Sequence, residues 1–372
     1  MRTHCNWPEG SLDALKILLK VGDRKKPAWK LRLEWRADAL VLAAGDGNTT
    51  GMITLNNPLP SHVPAGTITA IPHAGSKTLA DVLTDGPHPH VRVGIDELEV
   101  GAVTMRTSLD SLLWELPREP TTPPDLVLDA GALVEADAAV RPACSEDSLR
   151  GTIACLHIEP NAITATNGHR LHTLETRGGK STLIHHVLWD VAACWAELFP
   201  LDLPFHTTAH AQVFHPAGGC VFRHSFNAED YNEAVFPDWR PKLDLPNDKW
   251  PHLVLDKPTA KELVKQLRQH AKIIKLPRET HTRLELVATP DSPRLYLSTV
   301  AGAEMTELKG SVAVAVQGKI PKDFRWACNP AYLAEALSCA AGRAVDLHLP
   351  PDEMTGAYLA AGPFHVFIMG MR

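Results

Sequence analysis

The sequence predicts an α+β protein built from three similar units, each of two helices packed on a mostly antiparallel sheet. Three observations predict it. Helix-forming runs begin near residues 11, 129 and 257, a second helical run follows each, and alternating strand-like stretches follow each second helix. The 372 residues therefore divide into three lengths with one order of elements, a repeat of architecture rather than of residue identity.

The first unit opens with Ser11 as an N-cap, and Leu12, Leu15, Ile17, Leu18 and Leu19 give the run to Val21 an apolar face. A short helix over Ser76–Leu83 and alternating strands within His90–Thr107 complete it. The second unit has an Ala-rich helix over Asp129–Val140, a longer one over Thr182–Leu198, and strands within Ala211–Phe226. In the third, Lys257–Ile274 carries Leu263, Val264, Leu267 and Ile273 on one side, and Lys261, Lys265 and Arg268 at i, i+4, i+7 on another. Its second helix, Asn329–Ala341, stops at Gly342, and strands run through Val345–Met371. The Pro-rich, polar stretches Pro117–Pro124 and Leu245–Pro251 read as junctions, which sets domains at 1–122, 123–246 and 247–372.

Lys and Arg number 37 against 43 Asp and Glu, a formal net charge of −6, which excludes a chain that coats nucleic acid through bulk basicity. It does not exclude cations gathered on one surface. No run of about 18 apolar residues exists to span a membrane, and Met1–Gly10 lacks the apolar core of a signal peptide. Seven scattered cysteines without a C-x-x-C pair fit reduced thiols, so a cytoplasmic location with no membrane partner is expected.

Catalytic and metal signatures are weak. The 19 histidines include His206 and His210 at a tolerable ligand spacing, but no paired cysteines accompany them. No G-x-S-x-G elbow or dinucleotide fingerprint occurs, and Gly178–Thr182 lacks the first glycine of a phosphate loop, Leu174 standing in its place. The sequence therefore predicts no enzyme, no catalytic residues, no metal and no cofactor, with a histidine-based metal-dependent hydrolase as the alternative from the enzyme class.

Four stretches carry more. They are Ala165–Leu171 (ATNGHRL), Phe236–Arg240 (FPDWR), Asn329–Leu337 (NPAYLAEAL) and Phe367–Arg372 (FIMGMR). In this order and spacing they resemble the bacterial sliding clamp, the beta subunit of DNA polymerase III, over residues 130–372. The N-terminal third is similar in pattern alone. The resemblance implies a DNA clamp fold, a ring-shaped head-to-tail homodimer around duplex DNA, and no enzymatic activity. It implies a processivity factor that tethers a replicative polymerase, with the polymerase and the clamp loader docking by short linear peptides. The alternative within that family is a clamp-like paralogue serving repair or a specialised polymerase.

Carried over residue by residue, the resemblance implies a peptide-binding pocket of Ile153, Thr166, Gly168, His169, Arg170, Leu171, Pro237, Thr355, Phe367, Met369, Gly370 and Met371. Methionines make adaptable pocket walls, and glycine lets a loop backbone approach a peptide closely. The DNA-contacting cations would be Lys16, Lys20, Arg24, Lys25, Lys26, Lys261, Lys265 and Arg268, weak phosphate contacts being enough for a ring that slides. Ring closure would use Leu109, Leu112 and Leu113 of one copy against Ile273 and Ile274 of the other. Asn167 stands for the family's aspartate, Gly370 for its proline, and Pro241–Lys242 for Arg-Val, departures that bear on peptide preference.

Overall fold

The computed structural model describes residues 3–6, 10–22, 29–56, 67–85, 90–93, 97–100, 103–107, 115–176, 179–226, 236–243, 250, 252–273, 282–287, 294–301, 306–317, 325–340, 342–350 and 356–370. Seven helices lie among them: α1 (Ser11–Leu18), α2 (His73–Asp85), α3 (Ala130–Ala139), α4 (His186–Leu198), α5 (Arg240–Leu243), α6 (Lys257–Ile273) and α7 (Pro330–Cys339). The chain forms two compact units, Met1–Val134 with Ile184–Tyr231, and Glu135–Leu183 with Asn232–Arg372.

α1 starts without a side-chain cap: Gly10, at φ +82°, stands at its N-cap, and Ser11, read from sequence as the cap, is its first helical residue. Three other helix starts follow their caps. Asp129 Oδ1 accepts from Ala132 N at 2.8 Å, Asp256 Oδ1 from Thr259 N at 2.9 Å, and Asn329 Oδ1 from Ala331 N at 2.9 Å, each satisfying a donor that the first helical turn leaves open. The sequence places the second helix of the middle unit from Thr182. The structure has a strand over Thr182–His185 and starts α4 at His186. The β-branched Thr182 and Ile184 favour extended backbone, and His185, itself extended, caps α4 by accepting from Val187 N through Nδ1 at 3.3 Å.

The first unit holds an eight-stranded sheet ordered Thr67–Pro72, Lys30–Trp35, Ala39–Gly45, Thr49–Asn56, Cys220–Ser225, Ala211–Ala217, Leu203–Thr207, Leu126–Leu128. A four-stranded sheet, Thr3–Asn6, His90–Val93, Glu97–Val100, Val103–Arg106, completes it. α1 packs on α2, α4 and the strands Ala39–Gly45 and Thr49–Asn56, burying Leu15 and Leu18 completely.

The second unit repeats this plan. Its nine-stranded sheet runs Thr182–His185, Cys155–Glu159, Ala162–Thr166, Arg170–Glu175, Phe364–Ile368, Ala357–Ala361, Val345–His348, His252–Leu255, Ala315–Gln317. Its four-stranded sheet runs Thr306–Ala313, Arg294–Ala301, Thr282–Val287, Arg325–Cys328. α6 packs on α7 and on the strands His252–Leu255 and Thr306–Ala313, and α7 packs on Phe364–Ile368. Leu263 and Leu267 of α6 and Leu333 of α7 are fully buried, each such side chain contributing roughly 1.5–3 kcal/mol of burial. The large sheet of each unit joins strands that lie on either side of a Pro-rich junction, 117–124 in the first and 245–251 in the second. Among the described residues no helix is long and apolar enough to cross a membrane.

Candidate functional site

The turn between the strands Ala162–Thr166 and Arg170–Glu175 is built by its own sequence. Asn167 Oδ1 accepts from His169 N at 3.0 Å and Arg170 N at 3.2 Å. Thr166 Oγ1 donates to Arg170 O at 2.7 Å and accepts from Gly168 N at 3.1 Å. Gly168 takes φ +87°, a region L side chains enter at a penalty. Arg150 Nη1 donates to Asn167 O at 2.8 Å and braces the turn from outside. Asn167 thus supplies the acceptor a turn-forming aspartate would, without the charge.

Pairing then sets the turn against the terminal strand. Leu171 stands opposite Phe367 and Arg170 opposite Ile368, and Met369 N donates to His169 O at 3.0 Å. Leu171 and Phe367 are buried, Gly370 is half-buried, and Met369 is 48% exposed, a large apolar side chain offered to solvent. Gly356 lies so close to this strand that a Cβ there would come within 2.3 Å of Phe367 Cζ and 2.6 Å of Ile368 O.

Arg170, 7% exposed, is held from three sides. It donates to Glu335 Oε2 at 2.6 Å and to Pro142 O, and its guanidinium sits 4.4 Å from the centre of the Tyr332 ring. The His169 ring stacks 6.5 Å from the same tyrosine. Two residues on, His172 Nδ1 bonds Ala139 O at 2.9 Å, and burial, aided by the nearby Arg170 charge, pushes its pKa down to about 3, so it is neutral.

The FPDWR segment docks on Cys155–Glu159 through alternate residues. Phe236 packs its ring 4.7 Å from His157, Trp239 Nε1 donates to Glu159 Oε2 at 3.2 Å, and Arg240 donates to Glu159 Oε1. Pro237 is exposed between these anchors, and α5 continues onto the terminal strand Phe364–Ile368.

The structure therefore gathers Thr166, Gly168, His169, Arg170, Leu171, Phe367, Met369 and Gly370 at one end of three adjacent strands. Ile153 is half-buried in the short 3₁₀ stretch Ser148–Ala154, which packs on Ala162–Thr166. Thr355 and Met371 lie outside the described residues. Sequence reasoning missed Arg150, Tyr332 and Glu335 as partners of this site. The last two sit in the NPAYLAEAL helix, whose i, i+3 spacing puts them on one face; that signal was present in the sequence.

A second feature of this unit is electrostatic. Lys257, Lys261, Lys265, Arg268 and Lys272 are all exposed on α6, at spacings that keep them on one helix face. They line, with Arg343 and the apolar Ala260, Val264 and Leu337, a groove of about 520 Å³ between α6 and α7. Glu262 engages Lys265 at 3.5 Å, Glu135 engages Arg343 at 2.7 Å, and Arg268 donates to Ser338 Oγ at 3.1 Å. A face of this kind attracts phosphates without fixing a sequence. Lys257, Lys272 and Arg343 extend the three cations found by spacing. The two lysines continue the same stripe, whereas Arg343 arrives from the segment after α7, which no helical period reveals.

In the first unit, Lys16 and Lys20 are exposed on or just after α1, and Lys16 pairs with Asp13 at 3.2 Å. Arg24, Lys25 and Lys26 lie outside the described residues, as do Leu109, Leu112, Leu113 and Ile274; Ile273 is described only as the last residue of α6. Among the described residues, no three His, Cys, Asp or Glu side chains are placed to hold a metal ion.

These sheets and helices define the fold of a DNA sliding clamp. The chain is similar to the DNA polymerase III beta subunit of Thermotoga maritima over 100% of both chains, with a TM-score of 0.75 at 15% identity. It is similar to the beta subunit of Pseudomonas aeruginosa (TM-score 0.68, 17% identity) and to the DNA polymerase sliding clamp of Caulobacter crescentus (0.71, 16%), again over 100% of each chain. At these identities the likeness is one of fold. No family model matches the chain, and no curated protein matches it in sequence.

Proposed function

We propose that the protein is a sliding clamp: a homodimeric ring that encircles duplex DNA and tethers a DNA polymerase through a peptide site at the Thr166–Leu171 turn. In this reading the chain comprises three clamp domains, 1–122, 123–246 and 247–372, acts in the cytoplasm and has no catalytic role. The observation that carries it is the fold likeness to DNA polymerase III beta subunits over the whole of both chains. Two features of the second unit support it. The exposed cations of α6 suit sequence-independent phosphate contact, and the exposed Met369 beside buried Leu171 and Phe367 suits an aliphatic or aromatic peptide anchor.

Topology tests it. Native mass spectrometry is expected to give a dimer. After loading, the protein is expected to stay on closed circular DNA, to leave when the circle is cut, and to slide off linear DNA sooner when Lys261 and Lys265 are both replaced by glutamate. A strict monomer without retention on circles refutes the reading. A polymerase C-terminal peptide is expected to bind the wild-type protein and to lose more than about 1 kcal/mol of affinity with His169→Ala, as loss of a contact residue does.

A further inference from the structure

Residues directly opposite one another in antiparallel strands present their side chains to the same face of a sheet. In the second unit six such residues form one row. Thr166 stands opposite Leu171, Leu171 opposite Phe367, Phe367 opposite Tyr358, Tyr358 opposite His348, and His348 opposite His252. The first three belong to the candidate peptide site. The last three carry the row across three further strands, about 14 Å at the usual strand spacing.

That extension is a file of planar rings. His252 and His348 stack with centroids 4.8 Å apart and planes 26° apart, and His348 lies 5.6 Å from Tyr358. All three are half-buried. Tyr358 is fixed by its hydroxyl, 2.6 Å from His365 Nδ1, while His365 Nε2 lies 3.4 Å from Glu175 Oε1.

The charge along the row is uneven. Asp346, exposed and two residues before His348 on the same face, favours positive charge on that ring, whereas His252 opposes it. Burial, with His252 beside it, holds His348 below the ordinary histidine range, so His348 is uncharged at neutral pH. At the other end α5, packed on Phe364–Ile368, brings the exposed Lys242 together with Arg240, which Glu159 engages. The His348 end of the row therefore combines flat ring surface with a carboxylate.

We propose that Tyr358, His348 and His252 form a subsite for an arginine that flanks the partner's peptide. A guanidinium is planar, stacks on rings and pairs with a carboxylate, so one group satisfies both the ring surface and Asp346. An extended peptide advances about 3.3 Å per residue, which places the arginine roughly four residues beyond the segment that fills the pocket. The inference rests on the peptide-site reading given above.

The test measures, at pH 7.5, the affinity of the full-length protein for a polymerase C-terminal peptide. The peptide is used alone, extended at either end by four alanines, and with arginine or glutamate at each added position. One arginine version is expected to bind about two- to five-fold tighter than its alanine counterpart. That ratio is expected to fall to about one in Asp346→Asn and in His348→Ala; Asp346 is exposed, so its replacement leaves packing intact if the histidine variant does not fold. Equal binding of the arginine and alanine versions, a preference for glutamate, or a gain that survives Asp346→Asn overturns the proposal while leaving the pocket in place. Failure of the unextended peptide to bind refutes the pocket reading, and the arginine subsite with it.

Discussion

The turn Asp46–Thr49 in the first unit and the turn Asn167–Arg170 in the second are the same piece of backbone. In the first, Asp46 Oδ1 accepts from Asn48 N and Thr49 N, Gly47 takes φ +96°, and Ser225 N of the neighbouring strand donates to Asn48 O at 2.8 Å. In the second, Asn167, Gly168 and Met369 do the same for His169 and Arg170. The side chains that follow diverge. Thr49 bonds His224, its partner on the neighbouring strand, at 2.8 Å, and Gly51 passes under Phe222 with no room for a Cβ. Arg170 instead reaches Tyr332 and Glu335 on α7, and His172 fills the place corresponding to Gly51. The difference teaches that the turn, Asp-Gly in one unit and Asn-Gly in the other, is a device of the fold. What sets the second turn apart lies in the residues after it and in the strand beside it.

The contrast can be broken at its deepest residue first. His172 stays neutral in the folded chain down to about pH 3, whereas in the unfolded chain it takes a proton near 6.5. The unfolded state therefore binds more protons between those values, and stability is lost as pH falls below about 6.5. By pH 4.5 this amounts to about 2–3 kcal/mol. Urea unfolding at a series of pH values is expected to show that loss, and His172→Gln to flatten it; an unchanged slope in the variant counts against the assignment.

Arg170→Ala is expected to cost about 2–3 kcal/mol, since it strips Glu335 and the Pro142 carbonyl of a charged donor. The cost is held down because Glu335 is partly exposed. Thr49→Ala, at the matching position, is expected to cost about 1 kcal/mol, the worth of one hydrogen bond. Equal losses by thermal denaturation would erase the distinction between the two turns. A pair of glycine variants, close in size to Thr49→Ala, sharpens the shared part. Gly47→Ala and Gly168→Ala are each expected to cost about 1–2 kcal/mol for the positive φ. Gly168→Ala alone is expected also to weaken peptide binding, because its Cβ would come within 3.3 Å of the bracing Arg150.

Much of this was legible in the sequence because it depends on neighbours along the chain. Asp129, Asp256 and Asn329 announce helix starts by short-range hydrogen bonds, and Asn167–Gly168 announces a turn for the same reason. Lys261, Lys265 and Arg268 share a face by helical period alone. The start of α4 is not legible because the apolar run through Thr182–His185 reads as continuous with the helix, although Thr182 and Ile184 favour the extended backbone that strand pairing then fixes.

The sequence by itself determined the six longer helices to within a few residues of their ends, the order of helix and strand regions and the chemistry available to each, since propensity, capping and periodicity act over a few residues. Only the tertiary structure decided that Cys220–Ser225 pairs with Thr49–Asn56, that Arg170 meets Glu335, that Arg343 joins the cations of α6, and that His252 stands in line with Phe367. Those choices are made by strand register and side-chain packing between residues far apart in the chain. No local preference records them.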